Sequence, residues 1–198
     1  MIVAGLTGSI AMGKSETAKM FAARGIPVFD SDAVVHELYA AGGAGVAPLQ
    51  ALAPEAVVGG SVDRRKLADL VQTDPALLKK IEAVVHPLVK ARQAAFLKDA
   101  ERHTDIAVLD IPLLFETARE KDVDIVIVVS AGAALQRERA LARPGMTAEK
   151  LDFILSRQMP DAEKRRHADY VIDTSVSLGE TARAVEQVIA AIRAKGKA

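Results

Sequence analysis

At 198 residues, half of them hydrophobic and about a quarter charged, the chain suits one sizeable core with appendages, and its composition excludes a disordered or fibrous protein. Lys plus Arg and Asp plus Glu each total 26, so the basic excess of a phosphate-reading nucleic-acid protein is missing and small-molecule partners are expected. With no cysteine, disulfides, thiolate metal sites and a Cys nucleophile are excluded, which fits a reducing cytosol.

Residues 1–6 enter a strand-like run without the basic start or cleavage site of a signal peptide. The longest apolar runs, such as 123–129, are far too short to span a bilayer, so a cytoplasmic protein away from membranes is expected. Short apolar runs at 2–6, 27–29, 106–111, 123–129 and 170–172 read as strands. Helical patterns lie between them at 14–24, 31–41, a long set over 46–102, then 133–143, 148–157 and 178–194. The alternation predicts an α/β fold with about five parallel strands buried on both faces. Asp74 before Pro75, Thr147 after the Arg143-Pro144-Gly145 break, and Ser177 with Glu180 mark helix starts. Two stretches exceed a minimal set of crossovers. Residues 32–103 are expected to form a helical substrate-binding insertion, and 137–158 a lid, on one domain spanning 1–198.

Gly8-Ser9-Ile10-Ala11-Met12-Gly13-Lys14-Ser15 matches G-x-x-x-x-G-K-[ST], between an apolar strand and an amphipathic helix. The pattern is a P-loop. Glycines let the backbone curl so that successive N–H groups face an anion, and the helix start adds the positive end of its dipole. Lys14 places a cation between the β- and γ-phosphates of ATP, and Ser15 offers a hydroxyl to Mg²⁺.

Two carboxylates, Asp30 and Asp32, follow the second strand, at the end that faces the ligand crevice in an open α/β sheet. One suits a proton acceptor for an attacking hydroxyl and the other a magnesium-ordering group; both also suit helix caps. Asp110 ends the third strand, the position of a Walker B aspartate and a second candidate metal residue. Arg137, Arg139 and Arg143 recur along one predicted helix, where arginine could neutralise transferring phosphate. The clusters 64–66 and 164–167 read as solvated helix faces, and His36 and His103 as neither catalytic nor metal-binding.

These segments together with His86-Pro87-Leu88-Val89, Asp110-Ile111-Pro112-Leu113-Leu114-Phe115-Glu116, Gln136 and Ala168-Asp169-Tyr170-Val171-Ile172 resemble the dephospho-coenzyme A kinases, from residue 1 to about 172 in correct order. The resemblance implies a P-loop kinase fold and transfer of the γ-phosphoryl of ATP to the ribose 3′-hydroxyl of dephospho-coenzyme A. By motif, Asp32 looks like the general base, and Lys14 and Arg139 like the phosphate stabilisers. His86, Pro112, Leu113 and Glu116 would line or support the acceptor site. Residues 8–16, through Glu16, and Arg143 would hold ATP. Magnesium would sit at Ser15 and Asp110, and no obligate protein partner is implied. The family loop usually reads Gly-Gly-Ile-Gly-Ser-Gly-Lys-Ser-Thr. Here Ser9, Ala11, Met12 and Glu16 depart from it, and an alanine forced to positive φ is costly. Asp173-Thr174-Ser175 stands where the family often has an asparagine near the adenine. The chain lacks asparagine and any D-x-x-G, against a GTPase switch, and lacks the L-S-G-G-Q of transporter ATPases; another P-loop nucleoside or nucleotide kinase is the alternative.

Overall fold

Apolar runs too short for helices become strands, and the amphipathic stretches between them become the covering layers. The computed structural model describes residues 1–196. In chain order the elements are β1 (Ile2–Thr7), α1 (Lys14–Ala22), β2 (Val28–Asp30), α2 (Ser31–Tyr39), α3 (Val46–Leu52), β3 (Val57–Val58), β4 (Ser61–Val62), α4 (Arg64–Thr73), α5 (Pro75–Ala100), β5 (Ile106–Asp110), β6 (Ile125–Ser130), α6 (Ala133–Leu141), α7 (Ala148–Leu155), α8 (Asp161–Arg166), β7 (Tyr170–Asp173) and α9 (Leu178–Lys195). Single 3₁₀ turns occupy Pro54–Ala56 and Arg119–Asp122. Contacts divide the chain into two compact units, Met1–Phe29 with the chain from Ala100 onward, and Asp30–Asp99.

The five-stranded parallel sheet has the order β2-β5-β1-β6-β7. In register, Leu6 stands beside Asp110 on one side and Ile127 on the other. Every residue of β5 and β6 is buried, which explains why their runs are apolar up to Asp110 and Ser130 at their ends rather than alternating. Helices flank the sheet, and Phe21 of α1 with Val185, Val188, Ile189 and Ile192 of α9 pack into its core. The Ser177–Glu180 capping box starts α9, and its buried residues recur at helical spacing on one face.

The unit Asp30–Asp99 has its own core, built on Leu38, Leu49, Leu67, Ile81 and Val85. Asp63 caps α4 by accepting from the Arg65 and Lys66 N–H groups. The expected all-helical set over 46–102 is interrupted by the antiparallel hairpin β3–β4. Gly59 and Gly60, at φ 58° and 78°, form its two-residue turn, the positive-φ pair that suits strand twist. Two residues per strand are too few to display a period in sequence. Among the described residues no helix is long and apolar enough to cross a membrane.

Candidate active site

The P-loop is wedged between strand ends. At Gly8 an added Cβ would lie 2.4 Å from Val129 Cγ2 and 2.8 Å from the Val129 carbonyl oxygen, so glycine alone lets the chain pass the end of β6. Gly13, at φ 87°, caps α1 without a side-chain acceptor, leaving the first-turn N–H groups for an anion. A Cβ there would meet Thr174 Oγ1 at 3.0 Å. The Thr174 hydroxyl donates to the Met12 carbonyl at 2.7 Å, and the Met12 sulfur accepts the Ala131 N–H at 3.1 Å. Ser9 and Met12, two of the departures from the family loop, thus face inward and are buried.

Ala11 takes φ 62°, the left-handed conformation that costs an alanine roughly 1–2 kcal/mol. Its methyl is compensated by burial beside Ala140 of α6 and Leu151 of α7, with Ile10, Met146 and Leu155 packed around them. The helix pair α6–α7 therefore rests directly on the loop.

Lys14 opens α1, and its ammonium is ion-paired with the Asp110 carboxylate at the end of the neighbouring strand β5; both side chains are largely buried. Ser15 is exposed in the first turn, and Glu16 pairs with Lys19 at 2.7 Å on the surface. A hydroxyl and a carboxylate are hard oxygen donors, which suits magnesium, an ion that takes one or two protein oxygens and fills its shell with phosphate and water.

The arginines separate by role. The Arg139 guanidinium donates to the Thr174 carbonyl at 2.9 Å, one residue's hydroxyl away from Met12 of the loop. Arg137 bridges to Asp152 of α7 at 2.9 Å on the surface, and Arg143 is exposed beyond the end of α6. Beside Thr174, the Ser175 hydroxyl and N–H hold the Asp173 carboxyl below the usual carboxylate range.

Lys164 corrects the reading of 164–167 as a solvated face. Its side chain is fully buried, with the ammonium 2.8 Å from Glu116 Oε1. That oxygen also accepts the Met159 N–H at 2.8 Å, while Oε2 is buried without a hydrogen-bond donor. Glu116 is thus anchored to the chain leaving α7. Its neighbours Pro112 and Leu113 are half-buried and exposed, and the Pro112 carbonyl accepts the Thr7 hydroxyl at 3.2 Å.

In the other unit, Asp30 is the cap of α2, accepting the Asp32 and Ala33 N–H groups at 2.9 and 3.0 Å. Asp32, in the first turn of α2, is exposed, as is His86 on α5. Sequence reasoning missed Gln158 and Lys164. Gln158 Oε1 accepts the Ile10 N–H, and the only signal was its place at the end of the predicted lid.

A loop of this shape after the first strand of a parallel sheet, with its lysine on a strand-end aspartate, defines the P-loop nucleotide-binding class. The profile of the dephospho-CoA kinase family matches residues 1–180, and the chain belongs to that family. It is 55% identical over 195 residues, 98% of each chain, to a dephospho-CoA kinase of Mesorhizobium japonicum. Among solved structures it is similar to TT1252 from Thermus thermophilus, with TM-score 0.79, 39% identity and 96% of each chain covered. It also shares its fold with the dephospho-CoA kinase from Campylobacter jejuni, with TM-score 0.67 and 21% identity over 96% of each chain.

Proposed function

We propose that this protein transfers the γ-phosphoryl of ATP to the ribose 3′-hydroxyl of dephospho-coenzyme A, giving coenzyme A and ADP. The observation that carries the reading is the loop itself in a chain of this family, with Lys14 held against Asp110 where the phosphates must arrive. In the transfer, the bond from the γ-phosphorus to the β,γ-bridging oxygen breaks and one to the 3′-oxygen forms. Lys14 and Arg139 offset the charge that spreads over the phosphoryl oxygens, and residues 8–16 with Arg143 hold the nucleotide. Asp32 takes the hydroxyl proton; its exposure at the carboxyl end of β2 and the cap role already taken by Asp30 favour it over that neighbour. Ser15 and Asp110 would hold Mg²⁺, which when bound neutralises charge on the β- and γ-phosphates. The insertion over 32–103 with His86, together with Pro112, Leu113 and Glu116, serves the acceptor, and 137–158 closes over ATP. The partners are two small molecules in the cytoplasm, with no nucleic acid, membrane or obligate protein partner.

A panel of acceptors with ATP, scored by mass for the hydroxyl that gains phosphate, tests this. Coenzyme A is the expected product, and preference for adenosine, AMP or an unrelated alcohol would overturn the acceptor. Asp32→Asn should lower kcat about 10² to 10⁴-fold with ATP affinity little changed. Collapse of ATP binding with preserved turnover would return Asp32 to a structural or metal-ordering role.

A further inference from the structure

The backbone of the P-loop at Ile10 is gripped from both sides by side chains of the segment above it. Gln158, just past α7, accepts the Ile10 N–H at 3.1 Å. Gln136, on α6 and 6% exposed, donates from Nε2 to the Ile10 carbonyl at 2.9 Å. A peptide group is planar and trans, so each bond fixes a whole plane. Gln158 sets the plane between Ser9 and Ile10. Gln136 sets the plane between Ile10 and Ala11, and so turns the Ala11 N–H directly away from itself. The next residue is the strained one, Ala11 at φ 62°. Left free, an alanine leaves that conformation; clasped on its N-terminal side and packed against Ala140 and Leu151, it is held there.

We propose that Gln136 and Gln158 are positioning residues for ATP: together they hold the two peptide planes flanking Ile10, and so keep the Ala11 turn in the shape that receives the phosphates. The footing of α6–α7 on the loop then sets nucleotide affinity. The inference rests on the loop being the ATP site but not on which acceptor is phosphorylated.

The polarity of the two bonds supplies the test. Gln136→Met and Gln158→Met each remove one bond at similar volume. Each should weaken ATP binding, measured by calorimetry without acceptor, roughly two- to tenfold, the worth of one net hydrogen bond. KM for dephospho-coenzyme A should stay within about twofold, the lower end of that same range. Gln158→Glu keeps an acceptor for the Ile10 N–H, whereas Gln136→Glu loses the donor to the Ile10 carbonyl. Both add one negative charge, so Gln136→Glu should bind ATP several-fold more weakly than Gln158→Glu. Finally, glycine takes positive φ without strain, so in an Ala11→Gly background the Met substitutions should shift ATP affinity less than they do with alanine. Unchanged ATP affinity in both Met variants, equal losses for the two Glu variants, equal weakening of both substrates, or undiminished effects with Gly at position 11 would each overturn the proposal. Because calorimetry needs no acceptor, a wrong acceptor assignment leaves this test intact.

Discussion

Replacing Lys164 by methionine keeps most of its length and removes its charge from a fully buried position. The lysine side chain is 0% exposed and its partner Glu116 is 14% exposed, so bulk solvent screens the pair only weakly. Breaking a buried pair by removing one member costs about 3–5 kcal/mol, because the remaining charge is left uncompensated. Here Glu116 would retain the Met159 N–H on one oxygen and nothing on the other. For a chain of this length each kcal/mol moves the melting temperature about 2–4 °C, so Lys164→Met should melt roughly 6–20 °C below wild type. Replacing both partners, Lys164→Met with Glu116→Leu, removes the stranded charge and should recover much of the loss. Thermal and urea unfolding followed by circular dichroism measure both, with the urea slope unchanged if only stability is affected. A Lys164→Met protein melting within about 2 °C of wild type would show that the pair is not holding the segment after α7 onto Glu116.

Gly8→Ala should fold poorly or lose nucleotide binding, because its methyl carbon would lie 2.8 Å from the Val129 backbone oxygen, which has no rotamer to yield; native melting with native ATP affinity would contradict the wedged loop. Arg139→Ala should reduce kcat by roughly 10³ to 10⁵ if the guanidinium neutralises transferring phosphate, with lysine rescuing only in part; a loss confined to ATP KM would leave it a tether to Thr174. Stability should fall on acidification. Asp105, paired with Arg193, and Asp173, hydrogen-bonded by Ser175, both have folded-state pKa values lowered from 3.8, so their contributions are complete above that value and vanish as pH falls through the lowered ones. Melting temperatures measured from pH 7 downward check this, and Asp105→Asn should flatten part of the slope.

Much of this was legible because its signals are local. The runs at 2–6 and 106–111 became β1 and β5 within a residue at either end, since burial on both faces requires continuous apolar sequence. The Gly8-to-Ser15 turn announces itself through glycine positions that sterics make obligatory. Ala11 was legible too: a residue standing where a positive φ is needed does adopt one. What stayed hidden depends on distant partners. Lys164 lies among other basic residues at a helix end, and its carboxylate partner is 48 positions earlier, so nothing nearby distinguished it from its solvated neighbours. Gln158 acts on a backbone more than a hundred residues away, and an isolated glutamine carries no periodicity; Gln136 stood out through the resemblance, but its equally distant partner at Ile10 did not. The β3–β4 hairpin was missed because its glycine pair sits between strands of only two residues.

The order of the sheet also bears on how the protein behaves at high concentration. Its longer strands, apolar except at their carboxyl ends, are all interior, while the outer positions belong to β2, of three residues, and β7, of four. An incoming strand from another molecule could form only a few ladder hydrogen bonds with either, too few to offset the ordering it would undergo. β7 is further preceded by Asp169 and ends on Asp173, and repeated edge-to-edge pairing would bring like carboxylates together. The arrangement thus protects β6, a run of five β-branched apolar residues ending in a serine, by enclosing it between β1 and β7.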